Sequence, residues 1–249
     1  MTKPNTGQAV PRTHILDVWG DLACFSRADL KVERFSYPVA TPSAARSIFD
    51  AVFWKPQFRW AVDRIEVLSH PKYIALRRNE VKDRVPPERT LRQWMAGTRE
   101  PEPIIADGDR DSLGTDQKGR TQRQTMALKD VRYRLFAHIV PWPGHEAELP
   151  KYNDMFRRRA ARGQCAWQPS LGCREFVAFF RLADQDDPPP PAPVDIDVGW
   201  MVYDTFDLSR PGSSHDQASI SLFKAVVRQG RLDVPPYESP DVRKAVEVT

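Results

Sequence analysis

Three stretches of this 249-residue chain carry side chains suited to charge and proton chemistry. The first runs from Lys31 to Trp60, KVERFSYPVATPSAARSIFDAVFWKPQFRW. Lys31 and Arg34 lie in a short strand-like run, and Thr41-Pro42 is an N-cap and first-turn pair. Ala45, Ile48, Phe49 and Val52 recur at helical spacing, and Pro56 ends a helix expected over 42–55. A basic strand thus leads into a helix N-terminus, whose free N–H groups favour an anion such as phosphate. Phe53, Trp54, Lys55, Arg59 and Trp60 crowd the other end. The second stretch, Leu128 to Trp142, reads as a strand. Its alternation puts Arg132, Arg134, Phe136 and His138 on one face. An imidazole beside cations can move a proton near neutral pH while the cations offset phosphate charge. The third is Arg157-Arg158-Arg159 with Arg162, toward the end of a helix expected from Leu149 to Arg162.

Several elements must position these groups. His14 to Phe25 reads as a first strand, with a bend at Gly20-Asp21, and Phe58 to Leu68 as a second. Leu128 to Trp142 is the third and Glu175 to Leu182 the fourth. With the two helices the order is β-α-β-β-α-β, an α+β ferredoxin-like arrangement. Residues 79–125 are polar, with one short helix expected around Thr90 to Ala96, and read as a long insertion, mobile or solvated. Asp186-Asp187-Pro188 to Pro191 marks a linker. Beyond it Gly199 to Phe206, Ile220 to Arg228 and Leu232 to Val234 read as a small antiparallel β-sheet. The expected domains are therefore 1–185 and 186–249.

Charge divides at the same place. Residues 1–185 hold 31 Lys and Arg against 22 Asp and Glu, and residues 186–249 hold 6 against 11, within a net charge of +4. Most of the chain suits a polyanion. Of the 37 cations most are Arg, whose planar fork fits phosphate oxygens. Three scattered cysteines, Cys24, Cys165 and Cys173, contain no CxxC pair, so neither a zinc site nor a disulfide framework is expected. The sequence holds no apolar leader, no 18-residue apolar run and no GxGxxG or GxxxxGK[ST] fingerprint. The expectation is a cytoplasmic protein with no metal and no cofactor.

Five blocks in order carry a resemblance: KVERFSYPVATPSAARSIFDAVFWKP, RWAVDRIEVL, RRNEV at 77–81, RRRAARGQCAWQPSLGCREF at 157–176 and GWMVYD at 199–204. Together they closely resemble the RAMP-type CRISPR-associated protein of subtype I-C, also called Dvulg, the "d" branch of the Cas-five family. The similarity covers nearly the whole chain. It implies a ferredoxin-like domain with a small C-terminal β-sheet. It also implies a metal-independent endoribonuclease that cleaves the repeat hairpin of precursor CRISPR RNA and stays on the crRNA 5′ handle within the type I-C interference complex. Such cleavage uses the RNA's own 2′-OH as nucleophile and leaves a 2′,3′-cyclic phosphate and a 5′-hydroxyl. Duplex DNA is a further expected ligand, since phosphate contacts do not choose a sugar. The isolated chain is expected to be a monomer.

The resemblance also implies site residues. His138, in the segment FAH where the family carries a histidine, is the candidate for proton transfer. The family's catalytic tyrosine falls at Phe53, and its lysine before the histidine falls in Phe136-Ala137, so two groups are absent or relocated. Tyr37 and Lys129 are the expected catalytic substitutes, with Lys55 and Tyr133 as others. Tyr133 alternates to the opposite strand face from His138. Lys31, Arg34, Lys55, Arg77, Arg78, Arg157, Arg158 and Arg159 are the expected phosphate contacts. Gly172 falls in a loop that the family places near RNA. Trp54 and Trp60 could stack bases. A non-catalytic subunit capping the crRNA 5′ end is the competing reading, motivated by Phe53.

Replacing Arg157 and Arg158 together with Ala should weaken binding of every RNA and flatten the dependence of affinity on salt by about one counterion per lost phosphate contact. Filter binding across a salt series measures it; an unchanged slope places these arginines away from the RNA.

Overall fold

The computed structural model describes residues 12–30, 33–115, 117–183, 189–213 and 216–244. Its elements in chain order are β1 (His14–Ala23), β2 (Arg34–Phe35), α1 (Pro42–Val52), β3 (Phe58–Val67), β4 (Tyr73–Val81), α2 (Glu88–Met95), α3 (Arg110–Leu113), β5 (Arg120–Pro141), α4 (Leu149–Ala161), β6 (Phe179–Leu182), β7 (Ile196–Asp204), β8 (Ser221–Val227) and β9 (Arg231–Asp233). The chain forms two compact units, residues 1–74 with 126–249, and residues 75–125. Among the described residues no helix is long and apolar enough to cross a membrane.

The first unit is built on an antiparallel sheet in the order β6-β1-β5-β3-β9. β1, β3, β5 and β6, with α1 after β1 and α4 after β5, make the ferredoxin-like order read from the sequence. The last strand, β9, pairs with β3 in this sheet, while β7 and β8 form a separate two-stranded sheet.

α1 begins where the sequence places it. Thr41 Oγ1 accepts from Ala44 N at 3.2 Å and Pro42 occupies the first turn. Its apolar stripe of Ala45, Ile48, Phe49 and Val52 is buried. Phe49, Trp60, Phe156 and His14 meet in one aromatic cluster, with Trp60–Phe156 and His14–Phe156 centroids both 4.7 Å apart. The strand face bearing Leu16, Val18 and Trp60 is thereby closed off from water.

The opposite face of the sheet carries a row of charges. Arg181 on β6, Asp17 on β1, Arg134 on β5, Glu66 on β3 and Arg231 on β9 lie directly opposite one another across five strands. Arg181 Nη2 reaches Asp17 at 2.9 Å, and Arg134 Nε donates to Asp17 Oδ1 at 3.0 Å. Arg134 and Arg231 each approach Glu66, at 3.5 and 3.6 Å. Asp17, Arg134 and Glu66 are buried, and Pro189 O accepts from Arg134 Nη1 at 3.1 Å. Signs alternate along the row, so every neighbour attracts. Arg134, read from alternation as part of a cation-bearing face, is consumed in this network, while Arg132 is exposed.

Residues 75–125 differ from the expected loop. β4 pairs with β5, which starts at Arg120 rather than near Leu128, and α3 joins α2 as a second helix. Asp109 caps α3 reciprocally with Ser112, and Gly114 ends it at φ 67°. Apart from buried Thr125, the strand residues here are exposed or half-exposed, so no apolar alternation marks them in the sequence.

Arg134→Met should destabilise the protein by about 3–5 kcal/mol, because it leaves Asp17 and Glu66 buried without their shared cation. Urea unfolding measures this. A loss below about 1 kcal/mol would show that the flanking arginines suffice.

Candidate active site

His138 faces Ala61 of β3 across the sheet. Between Val62 and Arg64 the pairing slips by one residue, making Asp63 a bulge. Asp63 keeps its backbone satisfied, its carbonyl accepting from Val234 N at 2.9 Å. Its carboxylate Oδ1 lies 2.8 Å from His138 Nδ1. A carboxylate accepts only, so it selects the tautomer with the proton on Nδ1 and leaves the Nε2 lone pair available. The His138 side chain is 22% exposed and that of Asp63 38%, enough for a substrate to reach both. Beside them Arg64 stacks over Phe136, 3.9 Å from the ring centroid.

A second histidine shares this end of the sheet. His14 is buried, with Nε2 2.7 Å from Asn153 Oδ1 of α4. Burial lowers its pKa, opposed by the Asn153 hydrogen bond, and the charges of Arg12, Arg157 and His138 lower it further.

The other expected site residues scatter. Tyr37 is 3% exposed, and burial raises its pKa. A phenol so placed holds its proton and does not meet solvent. Lys129 pairs with Leu22 on the same strand as His138, nine residues away, so roughly 30 Å of extended chain separates them and they do not share a site. Tyr133 is fully enclosed, as the alternation requires. Lys55 is exposed just past α1, as are Arg157 and Arg158 on α4. Arg159 is half-buried, its Nε without a partner. Arg77 is exposed on β4 and Arg78 pairs with Glu80, both within the 75–125 unit. Lys31 lies outside the described residues.

Arg34 and Gly172 come together. Arg34 Nη1 donates to Glu175 Oε1 at 3.1 Å and to Cys173 Sγ at 3.4 Å. Gly172 has φ +87°, and a Cβ there would sit 2.0 Å from Cys24 O, so only glycine lets this loop lie on β1's end. The hydrogen bond with Cys24 pulls the Cys173 thiol down to about 6, with Arg34 adding to it.

Phe53 caps α1, its N–H donating to Phe49 O at 2.9 Å. It is 2% exposed and packs against Phe58 and Tyr152, at 5.6 and 6.3 Å between centroids. Trp60 is wholly buried, its Nε1 donating to Phe53 O at 2.9 Å, whereas Trp54 is half exposed. Trp60 is thus a core residue and Trp54 a surface one. Asp63 was missed in the sequence. Its one signal was a carboxylate inside the apolar alternation WAVDRIEVL, where a bulge is a natural way to keep it out of the core. Among the described residues no group of three or more His, Cys, Asp or Glu is arranged to hold a metal ion.

A ferredoxin-like sheet with helices on one face and a half-exposed histidine–carboxylate pair and a charged row on the other is the arrangement of a RAMP-type domain. The family model Cas5d, described as CRISPR-associated protein (Cas_Cas5), matches residues 14–235, and the chain belongs to that family. It is 36% identical over 236 residues to the CRISPR pre-crRNA endoribonuclease Cas5d of Mannheimia succiniciproducens, covering 92% of this chain and 97% of that one. It is 38% identical over 242 residues to the protein of the same name from Thermus thermophilus, covering 92% and 94%. The fold also matches a crystal structure of a CRISPR-associated protein, with TM-score 0.62 at 19% identity over 95% of this chain and 100% of that one. A Streptococcus mutans protein matches with TM-score 0.61 at 18% identity, over 94% and 97%.

Arg46 ties the small sheet to α1, donating from Nε to Asp204 Oδ2 at 2.7 Å and from Nη1 to Asp50 Oδ2 at 2.6 Å. Burial pushes the Asp50 carboxyl up to about 6, against the pull of Arg46. Because the folded state then holds this proton more tightly than the unfolded chain, stability falls as pH rises from about 4 to about 6 and levels off above. The component is roughly 3 kcal/mol at most. Asp50→Asn cannot titrate, so its stability relative to the parent should improve between pH 4 and 7. Urea unfolding at both pH values tests the sign.

Proposed function

We propose that this chain is a metal-independent endoribonuclease that cleaves the repeat hairpin of CRISPR precursor RNA and then holds the crRNA 5′ handle within a type I-C interference complex. The observation that carries this reading is the His138–Asp63 pair, half-exposed on the sheet of a chain whose relatives are named pre-crRNA endoribonucleases. With Nδ1–H held by Asp63, His138 Nε2 takes the proton of the 2′-OH as that oxygen attacks the adjacent phosphorus. The carboxylate stabilises the imidazolium that forms. Arg157 and its neighbours, exposed on α4, hold the RNA backbone beyond the reacting phosphate. The bond from phosphorus to the 5′-oxygen breaks as that oxygen takes a proton from solvent water, giving a 2′,3′-cyclic phosphate and a 5′-hydroxyl, and the imidazolium returns its proton to solvent. Lys55, Arg34, Arg158 and the Gly172 loop serve the RNA backbone, with Arg77, Arg78 and Lys31 as further contacts. The isolated chain works as a monomer in the cytoplasm, and duplex DNA binds through the same cations.

The second reading, a non-catalytic subunit on the 5′ handle, draws on one observation. Phe53 brings no hydroxyl and is sealed in the core.

His138→Ala should slow cleavage of the chain's own repeat RNA by about 10²- to 10⁴-fold and leave RNA affinity nearly unchanged. Activity should persist in EDTA and vanish on RNA carrying a 2′-deoxy sugar at the scissile nucleotide. Cleavage that needs a divalent metal and accepts the deoxy sugar would overturn the mechanism. An intact hairpin after long incubation with the wild-type protein would favour the second reading.

A further inference from the structure

Cys24 and Cys173 lie 149 residues apart in the chain and meet at the end of β1. Cys24 N donates to Leu171 O at 3.0 Å, and Gly172 packs so closely on Cys24 O that no Cβ would fit. This contact brings the next side chain, that of Cys173, beside Cys24. Cys173 Sγ lies 3.7 Å from Cys24 O, and the two thiols are hydrogen-bonded to each other. Disulfide sulfurs sit about 2 Å apart, so a pair already in hydrogen-bond contact has little distance to close. Both are free thiols in this structure, and neither has a part in the cleavage chemistry.

The pair is asymmetric in the way that thiol–disulfide exchange requires. Cys173 is half-buried, and Arg34 Nη1 of β2 donates to its Sγ at 3.4 Å. The hydrogen bond from Cys24, with Arg34 adding to it, brings the Cys173 thiol down to about 6. Its thiolate, the attacking form, is therefore present at neutral pH. Cys24 is 1% exposed, and its hydrogen bond to Cys173 together with burial pushes its thiol up. It keeps its proton and is placed as the resolving thiol, which acts only after Cys173 has been modified. The third cysteine, Cys165, lies by the end of α1, where Ala166 N donates to Ala51 O at 2.7 Å.

We propose that Cys24 and Cys173 form a redox-active dithiol, closed to a disulfide by a soluble low-molecular-weight disulfide, with Arg34 as the group that feels the change. Cys173 thiolate attacks one sulfur of RS–SR, a Cys173–SR bond forms, and RS⁻ departs and takes a proton from solvent. Cys24 then attacks Cys173 Sγ, the Cys173–SR bond breaks, and the second RS⁻ leaves with the Cys24 proton. Two protein thiols are oxidised, and one soluble disulfide is reduced to two thiols. Closure replaces the thiolate beside Arg34 with a neutral disulfide. Arg34 then keeps its ion pair with Glu175 and loses a second negative partner. The effect on RNA rests on the reading of Arg34 as a backbone contact; the disulfide does not.

The test incubates the full chain with glutathione disulfide at neutral pH, quenches in acid and alkylates the remaining thiols after denaturation. Peptide mass spectrometry without reductant should find Cys24 joined to Cys173 and Cys165 alkylated. Dithiothreitol should restore all three thiols. Cys24→Ala should stop the reaction at a stable mixed disulfide on Cys173. Filter binding with the chain's own repeat RNA should show the oxidised protein binding about 2- to 5-fold more tightly than the reduced one, the worth of one exposed charge pair. Cys173→Ser carries no thiolate, so it should bind like the oxidised protein and ignore the oxidant. Cys24 and Cys173 both alkylated after oxidation of the wild type would overturn the dithiol. So would a mixed disulfide on Cys173 with Cys24 alkylated. A Cys24–Cys173 disulfide that leaves RNA affinity unchanged would overturn the part given to Arg34 and leave the dithiol standing.

Discussion

The large sheet depends on Arg134. Its guanidinium is shared between Asp17 and Glu66, and those carboxylates reach on to Arg181 and Arg231, so one row of charges crosses all five strands. A slip of any strand by one residue would turn its charge into the apolar core and bring a core side chain out. The interior members are out of water, where an unmatched charge is heavily penalised and a matched one tolerated. The row therefore specifies register more than it adds stability, and it holds β9, from the far end of the chain, beside β3.

That register is what makes a site of His138. With β3 and β5 held in place, the extra residue at Asp63 has one strand neighbour to turn toward, and it meets the imidazole. The same slip keeps a carboxylate from the core and gives it an orienting task.

The arginines do three different things. Arg134 is structural, Arg46 locks the small sheet onto α1 through Asp204, and Arg157 and Arg158 stand in solvent. Composition marked the chain as fit for a polyanion but could not separate these roles, because a guanidinium's task is set by whether a carboxylate or water meets it.

Periodicity alone determined the order of strands and helices in the ferredoxin-like part, since α1 and β1, β3 and β5 each bury one regular face. The motifs from Lys31 to Trp60 and from Arg157 to Phe176 sufficed to point to the family, and alternation alone separated His138 from Tyr133. The hairpin of β4 and β5 left no such trace, because a strand wet on both faces has no apolar period. Only the tertiary structure decided that Lys129 lies far from His138, that Tyr37 is enclosed, and that Asp63 is the histidine's partner. Those facts depend on strand pairing between residues far apart in the chain, and a bulge changes which side chains meet without changing any local preference.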